Sequence, residues 1–361
     1  MRFRLSLLAG ALAAGTATAQ AQPAQQIVDR FERTVERAVE LAVERADRAV
    51  SRAYQGRSGP EQTDRFSRRI RIGRDGRFSI TNLAGNIVVT GGSGDEVSID
   101  AVKRTRGSSS ELASVRIDVD ERPGRVDVRT THSARNGNDR VSVDYTIVVP
   151  AGVAVEARSV SGDLTVRSVQ GPVRAETISG NVTTAATPKL ELLRSVSGNV
   201  DLSDVGADGD LSVSSISGDI RARALKAKGI DLKTVSGDVR LTDVACDRLG
   251  AQSMSGDLEY TGTLAKGGRY SLTSHSGGIR LTMSGPTGFE FSGGSFSGSI
   301  RADADGRVTT GRNDRDRVTA NGRTRVQTGR LNGEALQATF GDGSAVVTAR
   351  TFSGDIILVK R

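Results

Sequence analysis

Acidic and amide side chains recur at one fixed position in the second half of the chain, directly after a glycine. This acid–amide column includes Asp163, Asn181, Asn199, Asp219, Asp238 and Asp257. If the column stacks, its carboxylates could bind Ca²⁺ through oxygen ligands or act as acid and base toward a polysaccharide. However, one acid per repeat does not match the calcium nonapeptide pattern, which needs Gly-Gly-x-Gly-x-Asp twice per coil. Asp and Asn also hydrogen-bond the local backbone at turns. We therefore predict structural corners here, with no metal and no cofactor.

Basic side chains recur two positions after the acid–amide column. This arginine column consists of Arg221, Arg240, Arg280 and Arg301. Guanidinium groups bind carboxylates and phosphates, so an anionic glycan or a lipopolysaccharide phosphate is a candidate ligand. The same residues could instead form a solvated face that keeps stacked sheets soluble and blocks edge pairing.

Other catalytic signals are absent from the sequence. The chain has two histidines, His132 and His275, and no Gly-x-Ser-x-Gly elbow, paired-cysteine site or Walker loop. The single cysteine, Cys246, lies in an apolar context and is predicted to be a buried residue. We predict that the protein is not an enzyme. The alternative is a polysaccharide lyase or hydrolase, because parallel β-helices often carry such sites.

The elements that position these columns are set by an internal repeat. Ser-Gly-Asp or a close variant occurs nine times, and the first eight glycines are 18, 18, 20, 19, 19, 21 and 21 residues apart. The glycine column consists of Gly162, Gly180, Gly198, Gly218, Gly237, Gly256, Gly277, Gly298 and Gly354. A fixed period of about 20 residues indicates a solenoid in which each unit buries its neighbour's apolar face. Each tripeptide is predicted to form a corner, because Gly accepts positive φ.

The residues around each glycine alternate with period two, which predicts short strands. An aliphatic residue stands two positions after every glycine, and a hydroxyl residue stands three positions before it. Between that hydroxyl residue and the tripeptide lies an apolar column: Val160, Ile178, Val196, Ile216, Val235, Met254, His275, Phe296 and Phe352. If the hydroxyl column faces inward, the apolar column is an exposed interaction surface. If the strand bends at the corner, the apolar column is core.

The first 75 residues differ in character from the repeats. Residues 1–19 resemble a signal peptide, with Arg2 and Arg4, a short apolar run over 5–14 and a small-residue cleavage site. Apolar residues at three- and four-residue steps predict an amphipathic α-helix over 24–55, which could pack on the solenoid, cap it or self-associate. Residues 56–75 are predicted to be a linker. No stretch is long and apolar enough for a transmembrane segment.

The remainder is predicted to be a β-solenoid over 76–361. Residues 76–150 would form first coils elaborated with hairpins, and 151–302 the regular coils. Residues 303–333 are an Arg-rich excursion that could hold an anionic partner or simply be a flexible insertion. Residues 334–361 would form a terminal hairpin and coil. The predicted fold class is thus all-β: a parallel β-helix-like solenoid preceded by the α-helix.

The repeat, preceded by Tyr145-Thr146-Ile147-Val148-Val149-Pro150-Ala151-Gly152, resembles the bacterial putative-adhesin domain family of unknown function. The late runs Phe340-Gly341-Asp342-Gly343 and Thr351-Phe352-Ser353-Gly354-Asp355-Ile356 also match. The resemblance covers about 78–360 and implies a β-solenoid in an exported envelope protein. It transfers no catalytic residues.

Together these features predict an exported, non-enzymatic β-solenoid that serves as an adhesin or a cell-envelope interaction or scaffold module. Its location would be the periplasm or the cell surface, and its partner an envelope glycan or another envelope protein. Nucleic acid is excluded as a partner, since the formal net charge of +8 is modest for 361 residues and the charges are scattered.

Overall fold

The protein is described by a computed structural model that covers residues 61–132, 141–304, 307–310, 317–320, 323–327 and 334–360. These residues belong to one compact unit, Arg57–Arg361. They are almost entirely β-strand, apart from the short helix α1 (Ser109–Ala113). The predicted signal peptide and the predicted α-helix over 24–55 lie outside the described residues. Within the described part of the chain, no helix is long and apolar enough to cross a membrane.

The strands fall into three groups along the chain. The first group is β1 (Gln62–Arg71), β2 (Arg77–Ala84), β3 (Ile87–Gly92), β4 (Glu96–Thr105), β5 (Val115–Arg122), β6 (Arg125–His132) and β7 (Ser142–Pro150). The second is β8 (Ala154–Ser161), β9 (Leu164–Arg167), β10 (Val173–Ser179), β11 (Val182–Thr187), β12 (Leu190–Ser197), β13 (Val200–Ser217), β14 (Ile220–Ser236), β15 (Val239–Ser255), β16 (Leu258–Ser276) and β17 (Ile279–Ser284). The third is β18 (Phe289–Ser297), β19 (Ile300–Ala304), β20 (Arg307–Thr310), β21 (Arg317–Ala320), β22 (Arg323–Gln327), β23 (Glu334–Phe340), β24 (Ala345–Ser353) and β25 (Ile356–Lys360).

Each coil runs along one parallel sheet up to its glycine and along a second parallel sheet after it. Before the glycine, Val213 pairs with Leu232 of the next coil. After the glycine, Ile220 pairs with Val239 in the same register. The predicted solenoid is therefore present in the described chain, with equivalent residues of successive coils side by side.

The core is a stack of aliphatic side chains that point inward from both sheets. The aliphatic position after each glycine is fully buried: Leu164, Val182, Val200, Ile220, Val239, Leu258, Ile279, Ile300 and Ile356 are at most 1% exposed. Full burial of such a side chain contributes about 1.5–3 kcal/mol. The repeat thus places an aliphatic core residue at the same position of every coil, where its side chain packs between the two sheets.

A second corner follows six residues after the glycine in five coils. Ser168, Ala186, Asp204, Ala224 and Asp243 have φ between 51° and 61°. This left-handed conformation costs about 1–2 kcal/mol for a residue with a Cβ, although Asp tolerates it better than most. No glycine marks this corner in the sequence, so the repeat pattern does not predict it.

Additional strands cover the N-terminal end of both sheets. Strand β7 pairs parallel with β3, β4 pairs antiparallel with β7, and β1 pairs antiparallel with β4. On the other sheet, β6 pairs with β2, and β5 pairs antiparallel with β6. Residues 76–150 thus contain the β5–β6 hairpin beside their parallel strands. The linker predicted over 56–75 is wrong from Gln62 to Arg71, which is a strand. Its apolar residues Phe66 and Ile70 are four positions apart, and the residues between them are polar or charged. The sequence of this edge strand therefore lacks the apolar–polar alternation that predicts a strand.

The last coil in sequence is not the last coil in space. Strand β24 pairs with both β16 and β18, and β25 pairs with both β17 and β19. Strand β23 lies antiparallel on the other side of β18. The terminal hairpin predicted over 334–361 is therefore wrong, because β18 separates its two strands. The terminal coil itself is present, inserted between two earlier coils.

A glycine-rich crossing at 341–344 permits this insertion. Gly341 and Gly343 have φ of 62° and 66°. The Asp342 carboxylate accepts the Gly288 N–H at 2.8 Å, and the Ala345 N–H donates to the Gly288 carbonyl. A Cβ on Gly288 would lie 2.2 Å from the Asp342 nitrogen. The crossing needs glycine at the point where the two segments touch.

The Arg-rich segment 303–333 contributes strands in its described part. Strand β22 pairs antiparallel with β19 and with β21, and β20 pairs antiparallel with β23. This backbone extends the C-terminal end of the solenoid, where the sequence predicts only an excursion.

Candidate functional surface along the glycine corner

The glycine column forms a stack in which each glycine touches the glycine of the preceding coil. Gly85 heads the column, and its members with φ between 130° and 153° include Gly162, Gly237 and Gly354. A Cβ on Gly237 would lie 2.2 Å from the Gly218 carbonyl oxygen, and the other corners repeat this contact at 2.1–2.3 Å. Two features require glycine at these positions: the close approach of the neighbouring coil and, at each of the nine tripeptide glycines except Gly298, the backbone conformation.

The acid–amide column forms a hydrogen-bonded ladder that is interrupted once, at Gly278. The side-chain oxygen of each member accepts the backbone N–H of the equivalent residue one coil further on, at 2.7–3.0 Å. Asn86 precedes Asp163 in this ladder. No group of three or more His, Cys, Asp or Glu in the described residues is arranged to hold a metal ion. The carboxylates therefore have a structural task that explains their spacing.

The hydroxyl column faces inward. Its members Ser159, Thr177, Ser195, Ser215, Thr234, Ser253, Ser274, Ser295 and Thr351 are all buried. Several hydroxyls donate to the glycine carbonyl of the neighbouring coil, as Ser295 does to Gly354 at 2.9 Å and Thr351 to Gly277 at 3.0 Å. In these coils the small inward hydroxyl both fills the tight corner and ties it to the neighbouring coil.

The apolar column faces outward, which decides between the two alternatives left open by the sequence. The chain keeps strict alternation through this column and turns only at the serine and glycine that follow. Leu83 and Phe296 are among its exposed members, and Val160, Val196, Ile216 and Val235 are half-buried. In spatial order the column runs Leu83, Val160, Ile178, Val196, Ile216, Val235, Met254, His275, Phe352 and Phe296.

The largest side chains of the apolar column are stacked together at its C-terminal end. The His275 and Phe352 rings are 5.0 Å apart between centroids with 9° between their planes, and the Phe352 and Phe296 rings are 4.7 Å apart with 7°. Met254 is 58% exposed, Phe352 49% and Phe296 63%. This stack exists only because β24 is inserted between β16 and β18, so sequence order alone would not place Phe352 between the other two rings.

The arginine column is interrupted by other residues. Arg221 neighbours Arg240, but Glu259 lies between Arg240 and Arg280, and Ile357 lies between Arg280 and Arg301. The guanidinium of Arg240 donates to Glu259 at 2.8 Å, and this contact raises the pKa of Arg240. The column is therefore interrupted by one carboxylate and one aliphatic side chain, and it does not form a uniformly basic strip.

A shallow groove of about 300 Å³ opens beside the arginine column, around Gly278. Asp238, Asp257, Glu259 and Asp355 contribute carboxylates to its lining, Arg240 and Arg280 contribute guanidinium groups, and Ile357 adds an apolar side chain. Four carboxylates and two guanidinium groups leave the lining with an excess of negative charge. A strongly anionic ligand is disfavoured at this groove.

Other titratable groups lie in the core or apart from the groove. Burial raises the pKa of Tyr145, Tyr270 and Cys246 to about 12 in each case. Cys246 is buried, as predicted. His132 ends β6, whereas His275 belongs to the apolar column, so the two histidines do not form a shared site.

The model of one protein family, described as Toastrack DUF4097, matches residues 77–334, which is most of the chain. The chain belongs to the Toastrack DUF4097 family. This assignment agrees with the resemblance seen in the repeat and with the solenoid described above. No curated protein matches the chain.

Solved structures also resemble this Toastrack chain at low sequence identity. A putative adhesin from Bacteroides fragilis shares 11% identity, covers 82% of this chain and 97% of its own, and has a TM-score of 0.39. A putative adhesin from Parabacteroides distasonis shares 16% identity over 62% of this chain and 90% of its own, also with a TM-score of 0.39. A putative lipid binding protein from the same organism shares 13% identity over 61% and 90%, with a TM-score of 0.30.

Proposed function

We propose that the protein is an exported, non-enzymatic interaction module of the cell envelope that binds its partner through the apolar column. The observation that carries this proposal is the outward orientation of the column along all ten coils. At about 4.8 Å per step, nine steps make a ridge roughly 43 Å long. A soluble surface rarely keeps so many aligned apolar side chains exposed unless they are covered by a partner.

The aromatic end of the column is the expected centre of binding. Aromatic anchors that become fully desolvated dominate the energy of protein interfaces. Phe296, Phe352 and Met254 each keep about half or more of their surface available for such burial. Their neighbours in the adjacent outward column are mostly uncharged, including Gln252 and Thr273, so little charge would have to be desolvated there.

Binding can be tested with purified protein lacking residues 1–19 and an isolated envelope fraction in a co-sedimentation assay. A triple variant, Met254→Ser, Phe296→Ser and Phe352→Ser, should lose most of the sedimenting protein. The matched control changes Gln252, Thr273 and Arg350 to Ser. Gln252 and Arg350 are exposed two positions before Met254 and Phe352, and exposed Thr273 pairs with both Gln252 and Arg350 in the sheet. Equal sedimentation of both variants would reject the apolar column as the binding surface.

Export rests on the signal-peptide pattern of residues 1–19. Full-length protein expressed in a Gram-negative host should be found in the periplasm or at the surface in a processed form. A variant in which Leu7 and Leu8 are changed to Arg should remain unprocessed in the cytoplasm, because the apolar run is interrupted. Processing and location unchanged by these substitutions would reject the export signal.

A polysaccharide lyase or hydrolase is the second candidate, and the groove at Gly278 is the observation that favours it. The groove brings Asp257, Glu259 and Asp355 near Arg240 and Arg280. Carboxylate pairs are the usual acids and bases of glycoside cleavage. Incubation with uronate-containing and neutral polysaccharides, followed by assays for new reducing ends and unsaturated products, tests it. Cleavage lost in Glu259→Gln would favour the enzyme over the interaction module.

A further inference from the structure

The acid–amide ladder has one position without a side chain. In the spatial order of coils, Gly278 lies between Asp257 and Asp355. Its N–H donates to the Asp257 carboxylate at 2.7 Å, as the other ladder members do. It offers no side-chain oxygen to the backbone N–H of Asp355. Within the described chain, this N–H is therefore a ladder donor without its usual side-chain acceptor, and Asp355 lines the groove.

The space for the missing side chain is open. A Cβ on Gly278 would meet the Asp355 carbonyl oxygen at 3.4 Å and an Asp257 carboxylate oxygen at 3.6 Å, which are ordinary contacts. Gly278, unlike the neighbouring corner glycines Gly277 and Gly354, does not have a φ in the left-handed region. The gap therefore does not follow from backbone conformation or crowding, and an Asn or Asp would fit.

The groove around the gap offers alternating donors and acceptors. Carboxylates of Asp257 and Asp355 accept hydrogen bonds, and the guanidinium of Arg280 donates them without an ion-pair partner among the described residues. Ile357 lies in the same register as Arg280 and provides an apolar contact. Because carboxylates outnumber guanidinium groups, an anion would be repelled. A neutral ligand rich in hydroxyl groups can use both kinds of partner.

We propose that this groove binds an uncharged, N-acetylated oligosaccharide, whose acetamido oxygen takes the place of the missing ladder oxygen and accepts the Asp355 N–H. The acetamido group carries the same amide carbonyl as the Asn side chains at 181 and 199, which make the equivalent hydrogen bond in their own coils. Sugar hydroxyl groups would reach the carboxylates and Arg280, and the acetyl methyl group would lie toward Ile357. A peptide carbonyl could fill the ladder position, but a peptide lacks the hydroxyl groups that the remaining lining can bind.

This proposal rests on the proposed function only in assigning the protein to envelope binding, since it concerns the groove and not the apolar column. The decisive variant is Gly278→Asn, in which the chain supplies its own amide oxygen to the Asp355 N–H. This variant should prevent the ligand from accepting the Asp355 N–H, and it should make the fold more stable. Loss of binding in this variant could not be attributed to unfolding. Arg280→Ala removes a donor at the rim and should weaken binding without affecting the ladder.

The probe is a tetramer of N-acetylglucosamine, titrated calorimetrically into the soluble protein lacking residues 1–19. Its deacetylated cationic form and an oligogalacturonate serve as charged controls. We expect the N-acetylated tetramer to bind best, with at least tenfold weaker binding to Gly278→Asn and a smaller loss for Arg280→Ala. Asn181→Gly opens a gap in a coil whose column carries Thr183 instead of arginine, and it should not gain a second site.

Undiminished binding to Gly278→Asn, tighter binding of either charged oligomer, or no binding of the N-acetylated tetramer would each overturn the proposal. The triple apolar-column variant should bind the tetramer as the unaltered protein does. Conversely, Gly278→Asn should still sediment with the envelope fraction through the apolar column. The two sets of variants thus separate failure of the groove from failure of the proposed function.

Discussion

Replacing Gly237 by Ala should be among the most destabilising single changes in the solenoid. The φ of Gly237 is 148°, and an added Cβ would lie 2.2 Å from the Gly218 oxygen and 2.6 Å from its carbon. The contacted atoms are backbone, so relief requires separation of two stacked coils. Backbone strain of this kind costs about 1–3 kcal/mol, and overpacking costs a further 1–3 kcal/mol. We expect a loss of about 4 kcal/mol in the free energy of unfolding.

Two control glycines separate the contributions. Gly124 has φ of 69° and nothing within 4 Å of an added Cβ, so Gly124→Ala tests conformation alone and should cost about 1 kcal/mol. Gly209 lacks a left-handed φ and has the same open space. Gly209→Ala should be neutral or stabilise by about 0.4–1 kcal/mol, because alanine lowers the entropy of the unfolded chain.

Urea unfolding followed by circular dichroism would rank the three variants. The expected order of destabilisation is Gly237→Ala, then Gly124→Ala, then Gly209→Ala. If Gly237→Ala and Gly124→Ala unfolded at the same urea concentration with equal slopes, stacked coils could separate freely. Close approach within the glycine column would then contribute nothing to the requirement for glycine.

Four further outcomes are expected. Gly278→Asn should raise the free energy of unfolding by about 1 kcal/mol through one new hydrogen bond and lower unfolded-state entropy, and an unchanged melting temperature would contradict this. Because burial raises the pKa of Cys246 to about 12, its thiol should resist labelling at neutral pH until urea unfolds the protein; rapid labelling of folded protein would contradict it. Two hydrogen bonds from a neighbouring serine lower the pKa of Asp355, so its stabilising contribution is present above the carboxyl pKa of the unfolded chain and is lost as pH falls through the lower folded value. Asp355→Asn should reduce this acid dependence in urea titrations at several pH values, and an identical pH profile would count against it. Phe352→Ser should cost no more than about 1.5 kcal/mol, against about 3–5 kcal/mol for Phe289→Ala in the core, and equal losses would show that the apolar column is structural.

Much of the fold was predictable because the residue types within each repeat specify its local backbone conformation. The position two residues after each glycine is always aliphatic, as a core position requires, and Leu164 and Ile356 at opposite ends of the repeat are both fully buried. The corners were predictable because glycine is needed where φ is positive. The second corner was missed at Ala186 and Ala224, since alanine carries no signal for a left-handed conformation.

The candidate site was only partly predictable. Period-two alternation placed His275 and Phe296 in one column but left its direction open, since a bend of one residue would exchange its inward and outward positions. The repeat register identified the four arginines as one column. The interruption of that column by Glu259 and Ile357 depends on which coils pair with each other. The position of Ile357 could not follow from spacing, because its coil is 56 residues from the preceding corner in sequence and adjacent to an earlier one in space.

The sequence by itself determined the repeat period, the corner glycines, the ladder residues and the buried aliphatic position, because these depend on conformation and contacts that recur within each coil. Only the tertiary structure decided the order of the last coils, and with it the stack of His275, Phe352 and Phe296 and the groove at Gly278. Both depend on the insertion of β24 and β25 between earlier coils. A parallel sheet accepts any strand of compatible pattern at its edge, so the local pattern cannot specify which coil is its neighbour.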